Sequence, residues 1–332
     1  MNWIKKILES ERRVVIPIMT HLGIEAIGET VKRAVTNSGI HYQAMKYLSQ
    51  NYPSDACTAI MDLTLEAEAF GASVNITDDE IPVVTGRLIQ DMKSAEALKI
   101  PDLNAGRMPE YLKANELAVK NIVGKVILSG CIGPFSLAGR LYGMSEIMLG
   151  IYIDPDTVNL LLKKCTEFIT NYCQALKKIG TQGVIMAEPA AGLLSNDDCM
   201  TYSTRYVKQI VDVAQDENFT IVLHNCGNSG HCTQAMVASE AAVLHFGNSI
   251  RMESVLKEVS EDIIVMGNLD PVSVFKQGTP EIIRRSTREL LDRTAGYKNF
   301  VLSSGCDLPV GVPEENIDAF FMAVAEYKIK SS

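Results

Sequence analysis

Short β-branched runs recur along the chain, each closed by Gly, Pro or polar residues and followed by a longer stretch with helical apolar spacing. That alternation is the signature of repeated βα units. Eight runs are expected as strands: Val14 to Ile18, Ala72 to Ile76, Lys125 to Ser129, Val184 to Ala187, Thr220 to His224, Val243 to His245, Ile263 to Gly267 and Phe300 to Ser303. Helices are expected over Asp55 to Phe70, Pro109 to Asn121, Pro155 to Gly180, Asp197 to Glu217, Met252 to Val259 and Pro280 to Ala295. Asp154-Pro155-Asp156 opens one of them with an acidic cap region and a first-turn proline, and Gly180 closes it. Eight strands alternating with helices predict a closed (β/α)8 TIM barrel, in which reactive residues gather on the loops after the strands' carboxyl ends. The rival, a doubly wound open sheet, gives the fifth and eighth strands no reason to share a site.

With 332 residues, 47% of them hydrophobic and 21% charged, the chain can bury a large core. No segment reads as a linker, so a single barrel domain over residues 1–332 is expected, with a short N-terminal helical extension over about residues 1–12. A formal net charge of −9 without a dense Lys/Arg block disfavours nucleic acid as a partner. The first eleven residues lack the apolar core and small-residue cleavage site of a secretory signal, and no apolar stretch approaches the ~20 residues that span a bilayer. A cytoplasmic protein with no membrane association is expected. Its eight cysteines are scattered through a long chain, which predicts reduced thiols, most of them structural.

Three of the soft side chains stand apart. His224 and Cys226, separated by one residue at the end of a strand, point to the same face of extended backbone and can grip one ion together. Cys306 follows the final strand, so in a barrel it emerges at the same rim. Two thiolates and one imidazole suit zinc, and three protein ligands leave a fourth tetrahedral position for an incoming group. Glu188, at the end of the fourth strand in Ala187-Glu188-Pro189, is expected as a replaceable fourth ligand or as an acid/base beside the ion.

Other arrangements of these residues are open. His224, Cys226, His231 and Cys232 could form a compact structural knuckle, although their spacing departs from the usual pairs and a well-cored barrel gains little from such a staple. His224 and Cys226 could also be ordinary core residues. His21 and His245 also sit near strand ends and could line the cavity, but neither has a neighbouring partner in sequence, and structural roles are expected for both. Asp307 either hydrogen-bonds a ligand or caps a helix.

The segments Gly133-Pro134-Phe135-Ser136-Leu137-Ala138 after strand three and Gly267-Asn268-Leu269-Asp270-Pro271 after strand seven resemble the uroporphyrinogen decarboxylase superfamily, a likeness covering nearly the whole chain. Within it, His224-Asn225-Cys226 with the distant Cys306 looks like the zinc pattern of the cobamide-dependent methyltransferase branch. The decarboxylase branch carries a pair of arginines after its first strand. Here that stretch is Pro17-Ile18-Met19-Thr20-His21-Leu22-Gly23, and Arg12 and Arg13 precede the strand, so they belong at the opposite end of the barrel.

The resemblance implies zinc-assisted methyl transfer with a corrinoid (cobalamin) supplied by a separate protein that docks over the barrel mouth. The small substrate would be a thiol acceptor or a methoxylated donor, and sequence does not choose between them. The glycine-containing loops Gly130-Cys131-Ile132-Gly133 and Gly227-Asn228-Ser229-Gly230 could let a large flat group approach, though tight turns explain them equally. Porphyrinogen decarboxylation and non-catalytic zinc or thiol binding are the alternatives.

Overall fold

The structure is a computed structural model that describes residues 3–327. Among them the strands are, in chain order, β1 (Ala56–Thr58), β2 (Ser73–Asn75), β3 (Val83–Thr85), β4 (Val126–Ile132), β5 (Gly183–Ala187), β6 (Thr220–Asn225), β7 (Val243–Phe246), β8 (Ile264–Leu269) and β9 (Phe300–Ser304). All but β2 and β3 lie in one parallel sheet, ordered β1-β4-β5-β6-β7-β8-β9. Each sheet strand thus neighbours the next one in sequence, as right-handed βα crossovers dictate.

The segment 14–18 closes this sheet on itself. Val15 pairs in parallel with Leu302 of β9, Ile16 N donates to Leu302 O at 2.9 Å and Leu302 N to Val14 O at 3.0 Å. On its other side Asp55 N, just before β1, donates to Val15 O at 2.9 Å. The expected first strand is therefore the eighth stave of a (β/α)8 barrel, held by fewer ladder bonds than the rest.

Side chains alternate across the barrel wall. Ile16, Ile18, Ala56, Leu128, Ile185, Val222, Val243, Ile264, Met266 and Val301 pack together in the barrel interior. Their neighbours Val184, Met186, Ile221, Leu223, Leu244, Val265 and Leu302 face the helix layer. The N-terminal helix, Trp3–Leu8, seals the floor: Trp3 and Ile7 join the interior cluster, and Trp3 Nε1 donates to Thr220 Oγ1 at 3.0 Å. Met1 and Asn2 of the expected helical extension lie outside the described residues. No helix among the described residues is long and apolar enough to cross a membrane.

Two expectations are corrected. The stretch Ala72 to Ile76 does form a strand, but β2 pairs antiparallel with β3 through Val74 opposite Val84, apart from the barrel sheet. The second barrel strand is instead β1, inside the stretch expected as the helix Asp55 to Phe70, whose helical part shrinks to Leu65–Ala69. Exposure explains the exchange. β1 is buried throughout, whereas β2 is half-exposed and exposed, a pattern that fits a surface ribbon better than a barrel stave.

The helices Met108–Asn121, Pro155–Ile179, Met252–Glu258 and Pro280–Arg293 stand where expected. The helix expected over Asp197 to Glu217 runs from Asn196 to Ala214 and contains a wide, π-type turn at Met200–Thr204.

Candidate metal centre

The inward parity of β6 runs through Val222, which packs in the barrel interior, to His224 and onward to Cys226 just beyond the strand. His224 is buried, while Cys226 is partly exposed at the mouth. Cys306 lies two residues beyond β9 and is also partly exposed. Closure of the sheet brings these ends together: one ligand atom from each of His224, Cys226 and Cys306 lies within 4.8 Å of the other two.

Cys306 Sγ stands 3.7 Å from His224 Nε2. Tetrahedral zinc, with bonds of about 2.3 Å to sulfur and about 2.0–2.1 Å to nitrogen, sets its sulfur and nitrogen ligands about 3.6 Å apart. The three side chains could hold such an ion almost as they stand. A hydrogen bond from Cys306 draws the Cys226 thiol down to about 7 against the opposing effect of burial. Cys306 is pushed up by the same hydrogen bond and by burial. Of the two sulfurs, Cys226 is therefore the one whose thiolate form is favoured.

Glu188 is not among the three. On β5, Ile185 faces the interior and Val184 and Met186 the helix layer, so Glu188, on the parity of Met186, turns outward. Its carboxylate accepts from Phe135 N and Ser136 N, both at 2.8 Å, and from Ser203 Oγ at 3.0 Å. It anchors the amino end of the helix Pro134–Tyr142, where donors free of helical bonds favour an anion. Burial raises its pKa, and these hydrogen bonds oppose the rise. The expected place beside the ion is corrected by this orientation.

The knuckle of His224, Cys226, His231 and Cys232 is not assembled. Cys232 is buried with its sulfur 3.4 Å from Leu194 O, and the exposed His231 meets Ser229 Oγ at 3.2 Å. Asp307 caps a helix: its carboxylate accepts from the backbone N–H of Thr20 at 2.8 Å and from the Thr20 hydroxyl, and His21 Nε2 lies 3.9 Å from it. Arg12 pairs with Asp55 before β1, and Arg13 donates to Phe300 O, which opens β9, and to Thr294 O before it, each at 3.0 Å. Both arginines occupy the end of the barrel opposite the cysteines. Gly227 lies against the backbone of Pro189 and Gly192, an approach of main chain to main chain that a Cβ would block.

His245, expected as a structural strand-end residue, is the partner of His224 that sequence reasoning missed. It stands beside His224 in the strand register, fully buried, with its Nδ1 2.5 Å from His224 Nδ1 and its Nε2 3.1 Å from Ser303 Oγ. Burial, then the neighbouring His224, holds it well below the usual histidine range. The only signal in the sequence was position: each histidine stands near the end of its own strand, and the structure sets the two strands side by side in register.

Comparison with known proteins agrees with this architecture. The chain is 28% identical over 279 residues to a methylcobamide:CoM methyltransferase of Methanosarcina acetivorans, covering 82% of this chain and 80% of the relative. It is 26% identical over 282 residues to a uroporphyrinogen decarboxylase of Geobacter sp., covering 83% and 80%. A solved structure described as a methyltransferase from Methanosarcina mazei shares the fold with a TM-score of 0.88 at 22% identity, over 98% of this chain and 97% of that one. The uroporphyrinogen decarboxylase (URO-D) family matches residues 13–327, and the chain belongs to that family.

Proposed function

We propose that this protein is a zinc-dependent methyltransferase that moves a methyl group from a corrinoid, carried by a separate protein docked over the barrel mouth, to a small thiol. The observation that carries the reading is the His224, Cys226 and Cys306 group at the mouth, which is one donor short of a tetrahedral set. The choice of a thiol acceptor is supported by relatives named as methylcobamide:CoM methyltransferases and as a methylated-thiol--coenzyme M methyltransferase.

When bound, zinc supplies a Lewis acid that keeps a thiol in its nucleophilic thiolate form near neutral pH. Cys226 and Cys306 bring two sulfurs whose charge offsets that of the dication. The buried imidazole of His224 completes the set from inside the barrel. The barrel packing beneath the mouth leaves no open channel, so the reacting groups meet at the rim. There Cys226, Cys306 and His224 would hold the ion that presents the thiol, and the corrinoid would supply the methyl group to its sulfur. Glu188 acts at one remove, holding the amino end of Pro134–Tyr142 in place.

The decarboxylase reading requires cations for a polycarboxylate at the mouth. Arg12 and Arg13 are at the far end, and Arg107, at the start of the helix Met108–Asn121, is committed to Asp62 and Glu68.

The test is to incubate the protein with zinc, a methylated corrinoid and candidate thiols, coenzyme M among them, while following the cobalt spectrum. Expected is demethylation that needs both zinc and thiol, falls at least about a hundredfold in Cys226→Ala and Cys306→Ala together with zinc retention, and persists in Cys232→Ala. Full zinc occupancy in the Cys306 variant would overturn the ligand set. Inactivity with every thiol would return the choice to a methoxylated donor or to binding without turnover.

A further inference from the structure

We propose that His245, seated on Ser303, is a positioning residue that fixes His224 in the tautomer whose Nε2 lone pair faces the two cysteine sulfurs. The inference rests on the metal-binding part of the proposed function and not on the identity of the substrate.

Counting protons along the hydrogen-bond chain gives the assignment. The hydroxyl of Ser303 has a single proton, and it donates it to Ile16 O at 2.7 Å. At the 3.1 Å contact with His245 Nε2, Ser303 Oγ is therefore the acceptor and the ring nitrogen is the donor. His245 is fully buried with no carboxylate among its side-chain partners and so is neutral; protonated at Nε2, it has a lone pair on Nδ1, and across the 2.5 Å contact His224 must donate from its own Nδ1. That leaves His224 Nε2 unprotonated, and this is the nitrogen 3.7 Å from Cys306 Sγ.

Each link is held by the barrel. His224 and His245 are register partners on β6 and β7, Ser303 shares the inward parity of Val301 on β9, and Ile16 belongs to the closing stave. His224, His245 and Ser303 are all buried, so water does not compete for these bonds. The opposite tautomer of His224 would carry a proton at the ligand position and could not bind a metal. The chain thus ties a candidate ligand to the last closure of the barrel, in the manner by which second partners of metal-bound histidines set ring orientation.

The experiment measures zinc affinity by competition with a chromophoric chelator in the wild type, His245→Phe and His245→Asn, alongside ring-nitrogen NMR of the metal-free wild type. Expected is a loss of about 10–100-fold in affinity for His245→Phe. Recovery to within a few-fold is expected for His245→Asn, whose side-chain oxygen can accept where Nδ1 did. The NMR spectrum should show His224 protonated at Nδ1 and not at Nε2. A role in packing alone would produce neither the recovery nor the spectrum. Affinity of His245→Phe within twofold of wild type, or a His224 proton on Nε2, would overturn the proposal. If His245→Phe does not fold, the wild-type spectrum decides the matter alone. Failure of the wild type to bind zinc at all would count against the proposed function, while the spectrum would still judge the tautomer.

Discussion

Buried carboxylates in this barrel differ in how many donors reach them. Glu188 accepts three hydrogen bonds. Glu66, fully buried after β1, accepts one on Oε1, from Ile132 N at 3.0 Å, and its Oε2 has no partner. Burial lifts its pKa from 4.5 to about 8, with the neighbouring Asp62 adding to the rise and Arg107 opposing it. The folded protein therefore holds a proton that the unfolded chain has released across the window from about 4.5 to about 8. Where the folded state binds more protons, stability falls as pH rises, so Glu66 weakens the fold progressively through that window and fully above it. Glu66→Gln keeps the Ile132 bond and removes the charge. Its melting temperature should nearly match wild type at pH 5 and exceed it by several degrees at pH 9. Thermal melts across that range check this, and parallel pH profiles for the two proteins would refute it.

At the level of elements, strand parity decides which residues reach the mouth. His224 and Cys226 were legible because an i, i+2 pair at a strand end shares a face whatever the rest of the fold does. Cys306 needed the further expectation of closure. Glu188 was misplaced because the strand was identified without its inward parity, which depends on Ile185 packing inside the barrel. β1 was missed because Ala56-Cys57-Thr58 is only three residues long and lacks the β-branched run of the other barrel strands, and its burial is imposed by neighbours. His245 was legible as a strand-end residue but not as a partner, since register between strands is a tertiary fact. The corrected place of Glu188 has its own consequence. Glu188→Gln sets an amide N–H2 against one of the two helix N–H groups and should cost about 1–3 kcal/mol of stability. Zinc content by elemental analysis should not change. Lost zinc with undiminished stability would restore Glu188 as a ligand.

For the molecule as a whole, the question is whether metal builds the barrel or the barrel builds the metal site. The interior cluster is sealed below by Trp3 and Ile7 and contains none of the three candidate ligands. The parallel sheet beneath the mouth is paired strand to strand independently of them. His224 is held by His245, and Cys306 follows a strand fixed at Leu302 to the closing segment, so the donors are gathered before any ion arrives. Zinc should then stabilise only by mass action, about 2.7 kcal/mol at free metal a hundredfold above its Kd. For a chain of this size that corresponds to roughly 4 °C in melting temperature. Chelation should leave the far-ultraviolet circular dichroism unchanged and the unfolding cooperative, with the midpoint lowered by about that amount, and zinc should restore it. Collapse of the helical signal on chelation would mean that the ion staples the mouth together, and the site would then have to be reread as structural.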